Sequence, residues 1–157
     1  MNRIEFVLNS EQCVYEGNMN RRLLDVLRED YQLVGPKEGC GEGECGACAI
    51  LLNHSIINSC LLPMSHVANQ VITTIEGFSK TARYKVLEEA YLQHGAVQCG
   101  FCTPGMLIAS ESLLHKNPHP SEEEIRDALS GNLCRCTGYN MIVEAILDAS
   151  RKGEGLW

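Results

Sequence analysis

Four cysteines in a glycine-rich stretch constrain this chain more than any other feature. The first three follow the spacing C-x4-C-x2-C, and the fourth comes after eleven further residues: Cys40, Cys45, Cys48 and Cys60. This is the plant-type spacing of the ligands of a 2Fe-2S cluster. Glycine suits such a loop because it adopts positive φ and lets backbone N–H groups approach the cluster sulfurs. The stretch therefore predicts a 2Fe-2S site.

Zinc and disulfides are the alternative uses of these cysteines. Structural zinc sites usually present two C-x2-C pairs, whereas the first two cysteines here are separated by four residues. Disulfides are typical of oxidising compartments, but nine cysteines is an odd number and the N-terminus carries no apolar signal segment. Zinc stays open as an alternative, and the reduced thiols predict a cytoplasmic protein.

Composition narrows the class of partner. The 157 residues are 45% hydrophobic and 21% charged, with a formal net charge of −7. An acidic protein is a poor ligand for polyanions, so no nucleic-acid partner is expected. No apolar run approaches the ~18 residues of a membrane helix, so no membrane partner is expected either.

The first half of the chain reads as a small mixed α/β unit. Alternating apolar residues predict a hairpin over 1–15, with Cys13 as a small buried hydrophobe in its second strand. A helix over 21–30, capped by Asn18 or Asn20, comes before the cysteine loop. Strands at 47–52, 56–57 and 71–75 complete the order of a β-grasp ferredoxin, which predicts a first domain over 1–76.

The second half reads as helix throughout. Capping and periodicity predict helices over 84–94, 103–115, 122–130 and 139–152, with Thr103 as an N-cap and a Ser121–Glu124 capping box. Gly95 is the expected residue just past the end of the first of these helices. Four helices predict a small bundle over 77–157, giving an α+β protein overall. Trp157 is expected in a frayed terminus.

A second set of four cysteines opens two of these helices. Cys99 and Cys102 form a C-x2-C pair, and Cys134 and Cys136 form a C-x-C pair. Helix N-termini favour the negative charge of thiolates and of a reducible cluster. Zinc or a thioredoxin-like redox pair are alternatives, although no βαβ pattern surrounds the C-x2-C. A second 2Fe-2S cluster is favoured because two neighbouring redox centres make an electron path.

Together the motifs GCGEGECGAC, AVQCGFCTPG and GNLCRCTGY resemble the small iron-sulfur subunit of the xanthine dehydrogenase, or molybdenum hydroxylase, family. The resemblance covers nearly the whole chain. It implies a β-grasp 2Fe-2S domain followed by a four-helix bundle that holds a second 2Fe-2S cluster. It also implies that the first cysteine set binds the cluster nearer the flavin and that the second set, Cys99, Cys102, Cys134 and Cys136, binds the cluster nearer the molybdenum.

The same resemblance implies contacts and partners outside this chain. Gln98 would hydrogen-bond the molybdopterin, and Cys136 would contact the pterin from the other side. A molybdopterin-binding large subunit and an FAD-binding medium subunit would complete a heterotrimer that dimerises, and this chain would hold no catalytic residue. It would pass electrons from the molybdenum centre through both clusters to FAD. A xanthine or purine dehydrogenase is the first expectation, with aldehyde, nicotinate, carbon monoxide or aromatic-CoA enzymes and a stand-alone ferredoxin as alternatives.

Overall fold

A five-stranded mixed sheet forms the first half of the protein. The computed structural model describes residues 3–157, so the first two residues of the predicted hairpin lie outside the described residues. The strands are β1 (Arg3–Leu8), β2 (Glu11–Glu16), β3 (Ala49–Leu52), β4 (Ser55–Asn58) and β5 (Val71–Thr73). Their order is β2-β1-β5-β3-β4, with β1 and β5 parallel and the other pairs antiparallel. This is the β-grasp arrangement that the sequence predicts.

Helix α1 (Leu23–Glu29) covers the sheet with its apolar face. Its fully buried Leu23, Val26 and Leu27 pack in one cluster with side chains of β1, β3 and β5. The helix is shorter than the predicted 21–30, and Arg22 is its N-cap in place of Asn18 or Asn20. The reason is that Arg22 pairs with Pro63 in a β-bridge, which keeps the preceding backbone extended.

Four helices form a bundle in the second half, as predicted. They are α3 (Ala82–Gln93), α4 (Thr103–Lys116), α5 (Glu122–Leu129) and α6 (Asn140–Lys152). Thr81 caps α3, which begins two residues before the predicted start, and α4 uses Cys102 rather than Thr103 as its N-cap. A short helix α2 (Ile75–Phe78) lies where the sequence predicted the end of a strand and a break. No helix among residues 3–157 is long and apolar enough to cross a membrane.

Strand β3 contributes side chains to the apolar core of the bundle. Ala49 and Leu51 of β3 belong to the same buried cluster as side chains of all four bundle helices. The Ser112 hydroxyl of α4 accepts the Ile56 N–H of β4 at 3.1 Å. The bundle therefore packs directly against one face of the sheet.

The C-terminal tail folds back onto the bundle, so the expectation of a frayed Trp157 is wrong. Its indole N–H donates to the Glu111 carboxylate at 2.8 Å, and Arg83 donates to the other oxygen of that carboxylate at 2.9 Å. Glu111 is only 1% exposed. A buried carboxylate needs such partners, and this one orders the tail.

Candidate metal centres

The first cysteine loop surrounds its thiols with backbone N–H groups. The N–H groups of Glu42 and Glu44 both point at the Cys40 sulfur at 3.3 Å, and the Cys40 N–H lies 3.4 Å from the Cys45 sulfur. The N–H groups of Glu42 and Glu44, with Glu42 contributing most, lower the pKa of Cys40 to about 7. Such donors stabilise the thiolate form of sulfur, which is the form that binds a metal.

The other two cysteines of the first set lie beneath the loop. Cys48 and Cys60 are buried, and burial raises the pKa of Cys60 to about 11. Cys48 directly precedes β3, and Cys60 lies in a 3-10 turn that follows β4. The antiparallel β3–β4 hairpin thus brings the two ends of the long x11 spacer together.

The second set lines a cavity of about 230 Å³ near the N-terminus of α4. The sulfurs of Cys99 and Cys136 are 3.7 Å apart. Burial raises the pKa of Cys102 to about 12. Burial acts in the same direction on Cys134, but hydrogen bonds from Thr137 bring the pKa of Cys134 below its ordinary value. Thus the four thiols that are distant in sequence converge on one cavity.

The two loops are hydrogen-bonded to each other. The Leu133 N–H donates to the Cys45 carbonyl at 2.9 Å, and the buried Asn132 amide donates to the Gly46 carbonyl at 3.3 Å. A Cβ on Gly105, in the first turn of α4, would lie 2.5 Å from that same Gly46 carbonyl. Close backbone approach therefore joins the candidate centres directly.

A tyrosine side chain is hydrogen-bonded to the backbone of the second loop at two points. The Tyr139 hydroxyl accepts the Cys134 N–H at 2.9 Å and donates to the Asn132 carbonyl at 3.3 Å. Tyr139 itself has a φ of +71°, which is unusual for a residue other than glycine. Sequence reasoning missed Tyr139, Asn132 and Thr137 as functional positions, although all three lie inside the motif GNLCRCTGY.

The two residues predicted to contact the pterin, Gln98 and Cys136, are exposed. Cys13, predicted as a buried hydrophobe outside both sets, is half-buried in β2. Phe101 and Leu133 line the cavity of the second cysteine set and are 49% and 56% exposed. The mouth of this cavity is thus open and partly apolar.

The residues present fit iron-sulfur groups at both places. Each place offers four thiols, and N–H or O–H groups donate to sulfur in both loops. Across residues 3–157, no three His, Cys, Asp or Glu side chains are grouped as a single metal ion needs. What the structure brings together is thiols carried on two touching loops.

Two family models match this chain, one in each half. Residues 6–71 match the model of the 2Fe-2S iron-sulfur cluster binding domain, and residues 74–147 match that of the [2Fe-2S] binding domain. The small FeS subunit of nicotinate dehydrogenase from Eubacterium barkeri is 46% identical, over 91% of each chain. A subunit of a probable xanthine dehydrogenase of Bacillus subtilis is 43% identical, over 85% of this chain and 76% of that protein.

A solved structure shows the same fold. A chain of quinoline 2-oxidoreductase from Pseudomonas putida 86 superposes with a TM-score of 0.89 at 41% identity, covering 96% of this chain and 94% of that one. With both cysteine sets present and relatives matched over most of their length, the chain belongs to the family of small, electron-transferring 2Fe-2S subunits of molybdenum hydroxylases.

Proposed function

We propose that this chain conducts electrons between a molybdopterin-binding large subunit and an FAD-binding medium subunit. Cys40, Cys45, Cys48 and Cys60 would hold one 2Fe-2S group, and Cys99, Cys102, Cys134 and Cys136 would hold the other. Bound there, each group supplies one-electron chemistry. The observation that carries the proposal is the main-chain hydrogen bond between Leu133 and Cys45. It joins the loop of the first cysteine set directly to the loop of the second.

The exposed residues suggest how the chain is oriented between its partners. Cys136 lines the cavity of the second set, and Gln98 is exposed directly before Cys99, so we assign to both the contact with molybdopterin on the large subunit. Cys40 is exposed on the first loop, which we assign to the flavin side. The chain's own residues hold the centres, fix their separation and exclude water from the buried thiols.

The domain boundary and the cell compartment belong to the same proposal. We place the first domain at 1–76 and the second at 77–157. In support, the first family match ends at residue 71 and the second begins at residue 74. Nine free thiols favour a reducing compartment, and we propose the cytoplasm.

The substrate of the complex is proposed only as a class. Nicotinate, xanthine and quinoline, which the names of the matched proteins mention, are all nitrogen heterocycles. We infer that the complete enzyme hydroxylates a nitrogen heterocycle, with the purine hypothesis tested beside nicotinate. The test is to add each compound to the natively isolated complex and to record which one bleaches the visible absorbance of its iron-sulfur groups.

EPR with spin counting tests the electron-transfer proposal. The natively purified, dithionite-reduced protein should give two distinct 2Fe-2S signals at about two spins per chain, one for each cysteine set. Cys48→Ala should remove one signal and Cys134→Ala the other. Cys13→Ala is the matched control and should keep both. Bound zinc without an EPR signal would overturn the proposal, and the absence of large copurifying subunits would favour a stand-alone ferredoxin.

A further inference from the structure

One hydroxyl group near the cysteines stands apart from all the others. The Thr137 hydroxyl lies 3.0 Å from the Cys134 sulfur, and the Thr137 N–H lies 3.5 Å from the same atom. Among the eight cysteines of the two sets, all within residues 3–157, only Cys134 accepts a hydrogen bond from a hydroxyl group. The sulfurs of the first loop receive backbone N–H groups instead, as at Cys40.

The local backbone fixes the direction of this hydrogen bond. The Tyr139 N–H donates to the Thr137 hydroxyl oxygen at 3.3 Å, so one acceptor position of that oxygen is occupied and its hydrogen is free to point at sulfur. Positive φ at Gly138 and Tyr139, +66° and +71°, turns the chain back to make this contact. The Tyr139 side chain holds the Cys134 N–H at the same time. Thr137 is therefore held in a donor role.

A donor to a metal-bound sulfur stabilises added negative charge. One-electron reduction adds one negative charge to the group that Cys134 helps to bind, and the O–H dipole favours that reduced form. Cys134 and Thr137 are both half-buried, where screening by water is weaker than at the surface. A hydrogen bond of this kind should therefore raise the reduction potential of the second centre.

We propose that Thr137 is a positioning residue that sets the reduction potential of the second 2Fe-2S centre above the value it would have without the hydroxyl. This inference rests on the proposed assignment of Cys134 as a ligand. It separates the two centres chemically, because only the second one receives a hydroxyl hydrogen bond.

A redox titration monitored by EPR tests this inference on the natively purified protein with its copurifying subunits. Thr137→Val removes the hydroxyl and nearly conserves volume. At a fixed potential, the ratio of reduced to oxidised second centre should fall about tenfold, which for a one-electron couple is a shift of about 59 mV to lower potential. Thr137→Ser should restore most of the original value.

Two controls keep the result specific. The first centre in the same molecule should keep its potential in every variant. Thr103→Val alters a threonine that directly follows Cys102 but whose hydroxyl, within residues 3–157, makes no hydrogen bond to sulfur, and it should leave both potentials unchanged.

The possible failures are distinguishable. If the unaltered protein lacks a second signal, the proposed function fails before the variants are made. If both signals are present and Thr137→Val leaves the second potential unchanged, only the role of Thr137 is overturned. Loss of the second signal from both Thr137→Val and Thr137→Ala would overturn it too, because the hydroxyl would then serve assembly of the loop.

Discussion

At the scale of single residues, Gly46 lies where the two cysteine loops come into close contact. Its φ is +71°, and a Cβ there would lie 2.5 Å from the Asn132 amide nitrogen and 2.6 Å from the Gly131 carbonyl oxygen. Two separate constraints thus exclude a side chain, the backbone conformation and the neighbouring loop. The glycine is what lets the two cysteine loops touch.

We expect Gly46→Ala to lower the free energy of unfolding by about 3 kcal/mol. About 1 kcal/mol arises from the left-handed conformation and about 2 kcal/mol from overpacking against the second loop. The matched control is Gly95→Ala, which has a φ of +61° but only an ordinary contact at 3.8 Å, and should cost about 1 kcal/mol. Urea unfolding of samples with equal iron content measures both free energies. Equal losses of unfolding free energy in the two variants would contradict a steric role for the second loop at Gly46.

The cysteine sets show why some residues are readable from sequence and others are not. Ligand spacing is a local pattern, so both sets could be proposed before the fold was known. Asn132 and Gly46 are 86 residues apart, and their contact depends on how the bundle packs on the sheet. Because no local pattern encodes such a contact, the junction between the loops was not predicted.

At the scale of elements, α5 carries a complete capping box. The Ser121 hydroxyl accepts the Glu124 N–H at 3.3 Å, and the Glu124 carboxylate accepts the Ser121 N–H at 2.7 Å. The N–H donated by Ser121 holds the pKa of Glu124 below its usual value. The ionised carboxylate therefore stabilises the start of a helix that buries Ile125 and Leu129.

This depressed pKa predicts a loss of stability in acid. A carboxyl group whose pKa is lower in the folded state contributes fully above its unfolded-state pKa, and the contribution disappears as pH falls through the folded-state pKa. The difference in unfolding free energy between the unaltered protein and Glu124→Gln should therefore shrink from neutral to acidic pH. Glu123→Gln, in the same turn but outside the box, is the control. An equal pH dependence for both variants would contradict the prediction.

The helices were predicted better than the connections between them. Ser121 and Gly95 act as their chemistry indicates, because caps and left-handed ends are local effects. The start of α1 was misplaced because a β-bridge from Arg22 to Pro63, forty-one residues away, overrides the asparagine caps. Trp157 was misplaced for a similar reason, since its partner Glu111 lies in another helix.

At the scale of the whole molecule, the two halves are folded against each other. Leu51 of β3 is 4% exposed and belongs to the core of the bundle, whereas Leu27 of α1 is fully buried in the core of the first half alone. The imidazole rings of His54 and His115 also stack across the junction, with centroids 4.6 Å apart. Leu51 is therefore expected to contribute to the stability of the bundle, and Leu27 to that of the first half.

We expect Leu51→Ala to lower the unfolding free energy of the bundle by about 3 kcal/mol, since it leaves a cavity in the core of the bundle. Trp157 is the only tryptophan and lies on the bundle, so its fluorescence follows this half. Leu27→Ala is the matched control, and the same probe should record a loss below about 1 kcal/mol. Equal losses by this probe would mean that the two halves unfold as one unit.

The bond between Leu133 and Cys45 has a consequence for how such a protein can diverge. Both of its atoms belong to the main chain, so every residue type except proline can supply the donor at position 133. Substitution at that position can reshape the exposed surface towards a new partner while the spacing of the two loops is inherited unchanged. This hydrogen bond thus depends on loop length and backbone shape, so the side chain at position 133 is free to vary.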